Sequence, residues 1–327
     1  MKAPRLYSRR EFIGTSLTCA GHLGLMALPF SPSVRRLWSS RTRGQIVAQE
    51  PFARLEEIGE GLFALISTPL GGDYTTVSNG GIIVGGDGVL VVEGFMSSEG
   101  ARWLAEKARE LSGRWPTHAV ITHYHSDHSR GLDGYYSEGG GPDAHATPVT
   151  RELVLTRRGE PADDRTQRLW ADVTLLDEEE PSLIDLGGRT VAVVPRSGHT
   201  PSDVTIELTE GSTAWCGDLV WNGMFPNYVD ATPTILSEAV RAIRSGAWST
   251  YVPGHGPLAD GADMEKYVAV LDDIEDAARR AFEDGASAEE AGAGYEIPAE
   301  LGEWTLFNPQ YFQRAIGAWM RELDASG

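Results

Sequence analysis

The stretch His123-Tyr124-His125-Ser126-Asp127-His128 places four side chains that can bind a metal within six residues. It directly follows an apolar run, Ala119-Val120-Ile121, that is typical of a β-strand. The four side chains are therefore expected on the loop where that strand ends, a position where a rigid sheet scaffold often holds functional groups. Imidazole and carboxylate are ligands that zinc takes at catalytic sites, so the run predicts a metal site.

Three further candidate ligands each follow a short strand-like run and stand beside glycine. They are His199 in Ser197-Gly198-His199-Thr200-Pro201, Asp218 in the expected turn Cys216-Gly217-Asp218-Leu219, and His255 in Pro253-Gly254-His255-Gly256. Together with the first run, this set takes up five of the eight histidines in the chain. His118 and His145 stand outside the set and are interpreted as structural residues.

The pattern resembles that of the metallo-β-lactamase superfamily, whose signature is His-x-His-x-Asp-His, then a Gly-His, an Asp and a late His. All seven positions match in order, and the resemblance covers roughly residues 55–271. It implies an α+β fold, a four-layer αββα sandwich of two mixed β-sheets, with two zinc ions per chain at one edge. Because this fold hosts many chemistries, the resemblance implies the architecture more firmly than the substrate.

The resemblance also implies a role for each candidate ligand. The first zinc ion would be held by His123, His125 and His199, the second by Asp127, His128 and His255, and Asp218 would bridge the two. Two zinc ions can share a hydroxide, which makes a nucleophile at neutral pH, and Asp127 would also orient it as the catalytic residue. Relatives usually have Asp at the position of Glu93, where it supports the metal-binding loop.

These residues favour a zinc hydrolase that acts on a small carbonyl substrate: a lactone, lactam, ester or thioester. Many true β-lactamases of the superfamily have Cys or Ser where Asp218 stands, which argues against a dedicated antibiotic-degrading enzyme but leaves a β-lactamase proper as an alternative. Two further hypotheses are a persulfide dioxygenase-like oxidoreductase with one iron and a non-catalytic metal-binding accessory protein. Diiron oxygen reductases of this fold have Glu where His125 stands and are therefore disfavoured.

The first 48 residues differ from the rest of the chain. Ser8-Arg9-Arg10-Glu11-Phe12-Ile13 is a twin-arginine pattern, and a moderately apolar stretch follows it to Phe30. This is typical of a Tat export signal and predicts a periplasmic or secreted protein. Glycines and a histidine interrupt the stretch, so no stable membrane span is expected in the mature protein. An uncleaved N-terminal anchor is the alternative, and cleavage is placed near Ala27 or Ala48.

The net negative charge of the chain limits the classes of molecule that it is expected to bind. Residues 1–48 hold eight of the 28 basic and one of the 47 acidic residues, so the remainder has a net charge of −26. Such a surface repels phosphate backbones, which argues against nucleic acid and against an anionic membrane surface as partners. The partner that the resemblance implies is a small-molecule substrate. Cys19 belongs to the leader, so Cys216 has no intramolecular partner for a disulfide and is interpreted as a small buried strand residue.

The organisation that follows is a leader (residues 1–48), a catalytic domain (residues 49–285) and a C-terminal helical extension (residues 286–327). In the extension, Tyr311 to Leu323 is predicted to form a helix that packs on the core, with a homodimer contact as the alternative. Gly159 to Pro181 shows little periodicity and is expected to be an insertion near the active-site mouth, either a lid or a solvated loop.

Weaker candidates surround the predicted ligands. Thr200 is expected to fix His199 through a hydrogen bond, and Tyr124 is expected either to face the substrate or to lie on the surface. Asn222, Phe225 and Tyr228 follow Asp218 on a loop and are expected to line the pocket.

Overall fold

A computed structural model of the protein describes residues 44–156 and 162–326. The twin-arginine pattern and the apolar stretch after it lie outside the described residues. The chain forms two β-sheets with helices on their outer faces. This architecture confirms the α+β fold with two mixed sheets.

The first sheet has eight strands in sequential order. They are β1 (Gln45–Glu50), β2 (Ala53–Gly59), β3 (Leu62–Ser67), β4 (Gly80–Val84), β5 (Val89–Val92), β6 (His118–Val120), β7 (Asp143–Ala146) and β8 (Thr174–Leu175). Neighbours from β1 to β5 pair antiparallel, and those from β5 to β8 pair parallel. The sheet is therefore mixed, and its parallel half delivers the carboxyl ends of β5, β6 and β7 to one edge.

The second sheet has five strands in the order β13-β12-β11-β10-β9. They are β9 (Ser182–Asp185), β10 (Thr190–Arg196), β11 (Asp203–Leu208), β12 (Thr213–Trp221) and β13 (Thr250–His255). Only β12 and β13 pair parallel. This sheet is therefore mixed as well.

Eight α-helices lie within the described residues. They are α1 (Ser98–Ser112), α2 (Ser126–Ser129), α3 (Pro148–Leu155), α4 (Asp164–Ala171), α5 (Pro233–Ser245), α6 (Gly261–Glu283), α7 (Ala288–Gly294) and α8 (Tyr311–Ser326). A short 3₁₀ helix, Leu132–Tyr135, follows α2. None of the helices in the described part of the chain combines the length and the apolar character that a membrane crossing requires.

Alternation along the strands explains the layers, because successive side chains point to opposite faces of a sheet. In β5, Leu90 and Val92 enter a core shared with the second sheet, whereas Val89 and Val91 pack with α1 on the outer face. In β12, Trp215 faces the first sheet, and its neighbours on either side pack with the helices outside the second sheet. The layers are therefore helix, sheet, sheet, helix.

The C-terminal helix α8 belongs to the same core as the second sheet. Tyr311, Ile316 and Trp319 are 3% exposed or less and pack in one cluster with residues of α5 and α6. This is the packing on the core that the sequence predicts, and a homodimer contact stays a prediction. Cys216 is fully buried in the same cluster, as expected.

The segment Gly159 to Pro181 is more regular than the sequence suggests. Its described part, from residue 162, contains α4 and the strand β8, which extends the first sheet beside β7. Asp163 caps α4 by accepting bonds from the backbone of Arg165 and Thr166, and Trp170 is 1% exposed. The alternative of a solvated loop was wrong there, because one buried tryptophan anchors a helix that otherwise consists mostly of polar residues, and a lid stays a prediction.

Candidate metal centre

All seven predicted ligands come together in two adjacent groups. The first comprises His123, His125, His199 and Asp218, and the second comprises Asp127, His128 and His255. Within each group, the possible ligand atoms lie within 4.8 Å of one another. The groups stand at the carboxyl ends of β6 and β13 and just past β10, so residues far apart in sequence meet at one edge of the sandwich.

Asp218 does not lie in a turn, as the sequence suggested, but inside strand β12. Its neighbour Gly217 has a φ of +51°, and the pairing of β12 with β13 shifts register on both sides of Gly217. Such a bulge re-aims a side chain without ending the strand. A Cβ on Gly254 of β13 would stand 2.0 Å from Asp218 Oδ1, so the close approach of the two strands here requires glycine.

The carboxylate of Asp218 stands between the two groups, with one oxygen towards each. Its Oδ2 lies 3.3 Å from His199 Nε2, and its Oδ1 lies 3.1 Å from His128 Nε2. Oδ1 is also 3.3 Å from His255 Nε2. This is the placement that a carboxylate bridging two metal ions would need.

In three of the histidines the ring nitrogen that points away from the centre is held by an oxygen. Thr122 Oγ1 donates to Glu93 at 2.5 Å and so accepts from His123 Nδ1 at 3.0 Å, and His128 Nδ1 donates to Glu93 at 3.0 Å. His125 Nε2 donates to Asp230 at 2.8 Å. These bonds leave a lone pair on the nitrogen that faces the centre, the arrangement usual for metal-ligating histidine.

Glu93 is the buried support that the resemblance implies at this position, and its extra methylene still reaches the loop. It is 1% exposed, its carboxylate also accepts the Thr122 backbone N–H at 3.3 Å, and Tyr135 donates to its carbonyl at 2.6 Å. Its φ of +78° is unusual for a residue with a side chain. The tight packing around Glu93 maintains a conformation that would otherwise be unfavourable.

Two histidines of the first group, His123 and His199, are ready to act as neutral ligands. Burial lowers the pKa of His199 to about 3, against the opposing effect of Asp218. Burial likewise puts the pKa of His123 well below its usual value, and the neighbouring rings of His128 and His125 lower it further. Only the neutral imidazole binds a metal, so these rings need lose no proton.

In the second group the histidine pKa values are raised rather than lowered, because the carboxylates of Asp218 and Asp127 lie beside the rings. Although burial by itself lowers it, the pKa of His255 is raised to about 9 by Asp218 and Asp127. The pKa of His128 is raised for the same reason, with Glu93 adding to the effect. Burial alone would raise the pKa of Asp127, but His128 and His255 hold it below its usual value. The raised pKa values favour protonated rings beside these carboxylates, and a divalent cation would take the place of the protons.

Two buried polar atoms, one on His128 and one on Asp218, are arranged for a metal ion between them rather than for a hydrogen bond. His128 Nε2 and Asp218 Oδ1 lie 3.1 Å apart, yet neither has a partner with hydrogen-bond geometry. A buried polar atom without a partner is costly, and a cation between nitrogen and oxygen ligands satisfies both. The donor set of imidazoles and carboxylates is the one zinc takes.

Two carboxylates of this site were not identified from sequence. Asp203 accepts the backbone N–H groups of His199 and Thr200 at 3.1 and 2.9 Å and the Thr200 hydroxyl at 2.8 Å, and burial raises its pKa to about 7. Thr200 therefore positions His199 through Asp203 and the loop backbone. Asp230 follows no strand, so the sequence pattern does not mark it as a site residue. Asp203 lies four residues after the predicted ligand His199, and this short spacing could have identified it.

The remaining weaker candidates have specific places in the structure. Tyr124 donates its hydroxyl to Asp230, on the surface side of His125. Phe225 and Tyr228 are 0% and 1% exposed, so the expectation that they line a pocket was wrong: both pack in the core. Asn222 is also buried, and its amide donates to the Pro257 and Leu258 carbonyls at 3.1 and 3.0 Å, which fixes the loop after His255.

Aromatic residues cover His255 on the side of the second sheet. The Trp221 ring lies 4.1 Å from the His255 ring, and Phe307 lies 6.2 Å from it. Tyr311, at the start of α8, contacts Trp221 edge-on at 6.3 Å. The extension of the chain therefore borders the metal centre, which its distance in sequence did not indicate.

The support by Glu93 can be tested with Glu93→Gln, which keeps the size of the side chain and removes its charge. We expect zinc affinity at the second group to fall by about 10–100-fold, because His128 loses the carboxylate that orients it. Glu56→Gln is a matched control, since Glu56 is also fully buried but pairs with Arg54 at 2.5 Å. Zinc affinity is measured by competition with a chelator. Equal affinity in Glu93→Gln and the parent protein would contradict the supporting role.

Comparison with known proteins supports the same architecture. The family model described as metallo-beta-lactamase superfamily matches residues 74–277. A metallo-β-lactamase from Erythrobacter litoralis is 20% identical, with 69% of this chain and 99% of that chain covered and a TM-score of 0.55. A metallo-β-lactamase from Pontibacter korlensis is 19% identical, with coverages of 67% and 99% and a TM-score of 0.55. FIM-1 from Pseudomonas aeruginosa, in a mono-zinc form, is 20% identical, with coverages of 68% and 95% and a TM-score of 0.54. At these identities the likeness shows a shared fold.

Proposed function

The chain belongs to the metallo-β-lactamase superfamily, and we propose that it is an exported dinuclear zinc hydrolase that cleaves a small lactone, lactam, ester or thioester. The observation that carries this proposal is the position of Asp218, whose two oxygens face different groups of ligands at 3.1 to 3.3 Å. A single metal would use only one of these groups. Six further candidate ligands around the central carboxylate of Asp218 favour two ions.

Each of the seven candidate ligands would have a defined role in such a reaction. His123, His125 and His199 would hold one zinc ion, Asp127, His128 and His255 the other, and Asp218 would join them. Bound there, the ions would supply an activated water at neutral pH and polarise the scissile carbonyl. Asp127 and His125 would face the substrate, because their side chains are 20% and 17% exposed while the other ligands are almost fully buried.

An activity panel on the zinc-loaded mature protein tests this proposal, with lactones, β-lactams, thioesters, phosphodiesters and sulfate esters as substrates. Elemental analysis accompanies it, and we expect two zinc ions per chain at the centre. Protein treated with a chelator serves as the control. Turnover of β-lactams alone would favour a β-lactamase proper. A single iron with no zinc would overturn the hydrolase proposal in favour of a persulfide dioxygenase-like enzyme.

Export can be tested at the twin-arginine pattern, which lies outside the described residues. We expect Arg9→Lys combined with Arg10→Lys to leave the precursor in the cytoplasm, because the export receptor reads the arginine pair. Arg35→Lys with Arg36→Lys is a matched control, since this second pair follows the apolar stretch. Cell fractionation gives the readout. Normal export of the first double variant would contradict the leader assignment.

The site of leader cleavage is narrowed by strand β1. Its residues pair with β2 from Gln45 onwards, so cleavage near Ala48 would cut the strand in two. Cleavage upstream of Gln45 would keep β1 whole. We therefore propose a mature protein that begins before β1 rather than at residue 49.

A further inference from the structure

We propose that His118, Asp143 and His145 form a further zinc site, separate from the centre around Asp218. The three residues meet on the parallel strands β6 and β7, where His118 pairs with Asp143 and Val120 pairs with His145. Paired residues of adjacent strands share a face, and residues two apart on one strand do as well. The sheet itself therefore aims all three side chains to one side.

The proposed site is distinct from the catalytic centre. His118 and Asp143 begin β6 and β7, whereas the ligand run begins at His123, beyond the last residue of β6. His145 lies two residues further along β7, beside Val120, which is fully buried in the core between the two sheets. His118 and Asp143 reach solvent, and His145 is 7% exposed.

Distances between the ligand atoms suit one ion. His118 Nδ1 lies 3.2 Å from His145 Nε2, and His145 Nε2 lies 3.6 Å from Asp143 Oδ2. The three ligand atoms lie within 4.8 Å of one another. Ligands bonded to zinc at about 2.0–2.2 Å stand roughly 3.0–3.6 Å apart. Neighbouring atoms at the proposed catalytic centre show the same spacing, with His123 Nε2 3.1 Å from His125 Nδ1.

Asp143 is held in the orientation that such a site needs. Thr174 of β8 donates its hydroxyl to Asp143 Oδ1 at 2.6 Å, which turns Oδ2 towards His145. At 3.6 Å the second oxygen is too far from His145 Nε2 for a hydrogen bond, yet it is at ligand spacing. A ligating carboxylate that is itself hydrogen-bonded is usual around protein-bound metals.

The chemistry of the three donors also suits a transition metal. Two imidazole nitrogens and one carboxylate oxygen select zinc or a similar transition metal over calcium and magnesium. One ion here would tie β7 to β6, the strand that leads to His123.

Zinc stoichiometry under chelator competition tests the proposal. We expect the wild-type chain to hold one zinc ion more than His118→Gln/His145→Gln, with unchanged turnover of any panel substrate. Asp143→Asn keeps the side-chain size and should raise the zinc Kd of this site at least about tenfold, because the ligand charge is lost. Asp172→Asn, a change at another exposed aspartate, is the matched control and should match the wild type.

Location is tested separately with anomalous scattering at the zinc edge from crystals of the zinc-loaded protein. A peak between His118 and His145 is expected in the wild type and not in the double variant. Equal zinc content in the wild type and both variants, with no peak at this position, would overturn the proposal and leave a hydrogen-bonded pair of histidines. The wild type and the variants share the same residues around Asp218. A failure of the proposed dinuclear centre would therefore leave the difference in zinc content between them unaffected.

Discussion

Replacing Asp218 with alanine is expected to abolish most of the activity and to remove one zinc ion per chain preferentially. The carboxylate of Asp218 faces histidines of both groups, at 3.3 Å from His199 and 3.1 Å from His128. Without it, the negative charge that would hold two cations close together is lost. An ion that stabilises charge in the transition state contributes several kcal/mol, so turnover should fall by about 10³-fold.

A control on the same strand separates loss of the ligand from disturbance of the fold. Cys216 lies two residues before Asp218, is fully buried and has its nearest hydrogen-bond acceptor in the carbonyl of Ala214 at 3.6 Å. Cys216→Ala should therefore keep both zinc content and turnover. If Asp218→Ala retained two zinc ions and near wild-type turnover, the bridging role, and with it the dinuclear proposal, would be wrong.

The positions of six of the seven predicted ligands could be read from the sequence because each follows or closes a short strand. Four of them share the run after β6, and His255 closes β13, so short apolar strands marked their places. Asp218 was correctly predicted as a candidate ligand although its predicted local structure, a turn, was wrong. Glycine suggested a turn, but β12 continues through Gly217 as a bulge with the residues after it still extended.

Residues that support the ligands were harder to predict because their partners are distant in sequence. Asp230 lies 105 positions from His125, which it contacts at 2.8 Å, on a loop without a strand-end signal. Phe307 and Tyr311 reach the centre only because α8 packs against the helices outside the second sheet. Such contacts depend on tertiary packing, which composition and periodicity do not encode locally.

The second large effect is expected from Asp127→Asn, which preserves size and removes charge. Asp127 Oδ2 lies 3.3 Å from His255 Nε2 and 3.6 Å from His128 Nε2, and its side chain is 20% exposed, so it stands where substrate and water would enter. An amide there would bind zinc poorly and could not orient the nucleophilic water as an ionised carboxylate does. We expect turnover to fall by roughly 10² or more, as for other positioned acid–base groups.

The fold should survive this change, because Asp127 lies at the edge of the sandwich and the variant keeps the hydrogen bond from the Ser78 hydroxyl to its backbone carbonyl at 2.6 Å. The readouts are turnover of the responsive substrate, zinc content and a thermal melt. Asp87→Asn is the matched control, since Asp87 is an exposed aspartate in the β4–β5 turn, at the far end of β5 from Glu93. Near wild-type turnover with two zinc ions bound would mean that Asp127 takes no part in the reaction. The same centre would then be better explained as a binding site, because the most exposed of the candidate ligands would be dispensable for chemistry.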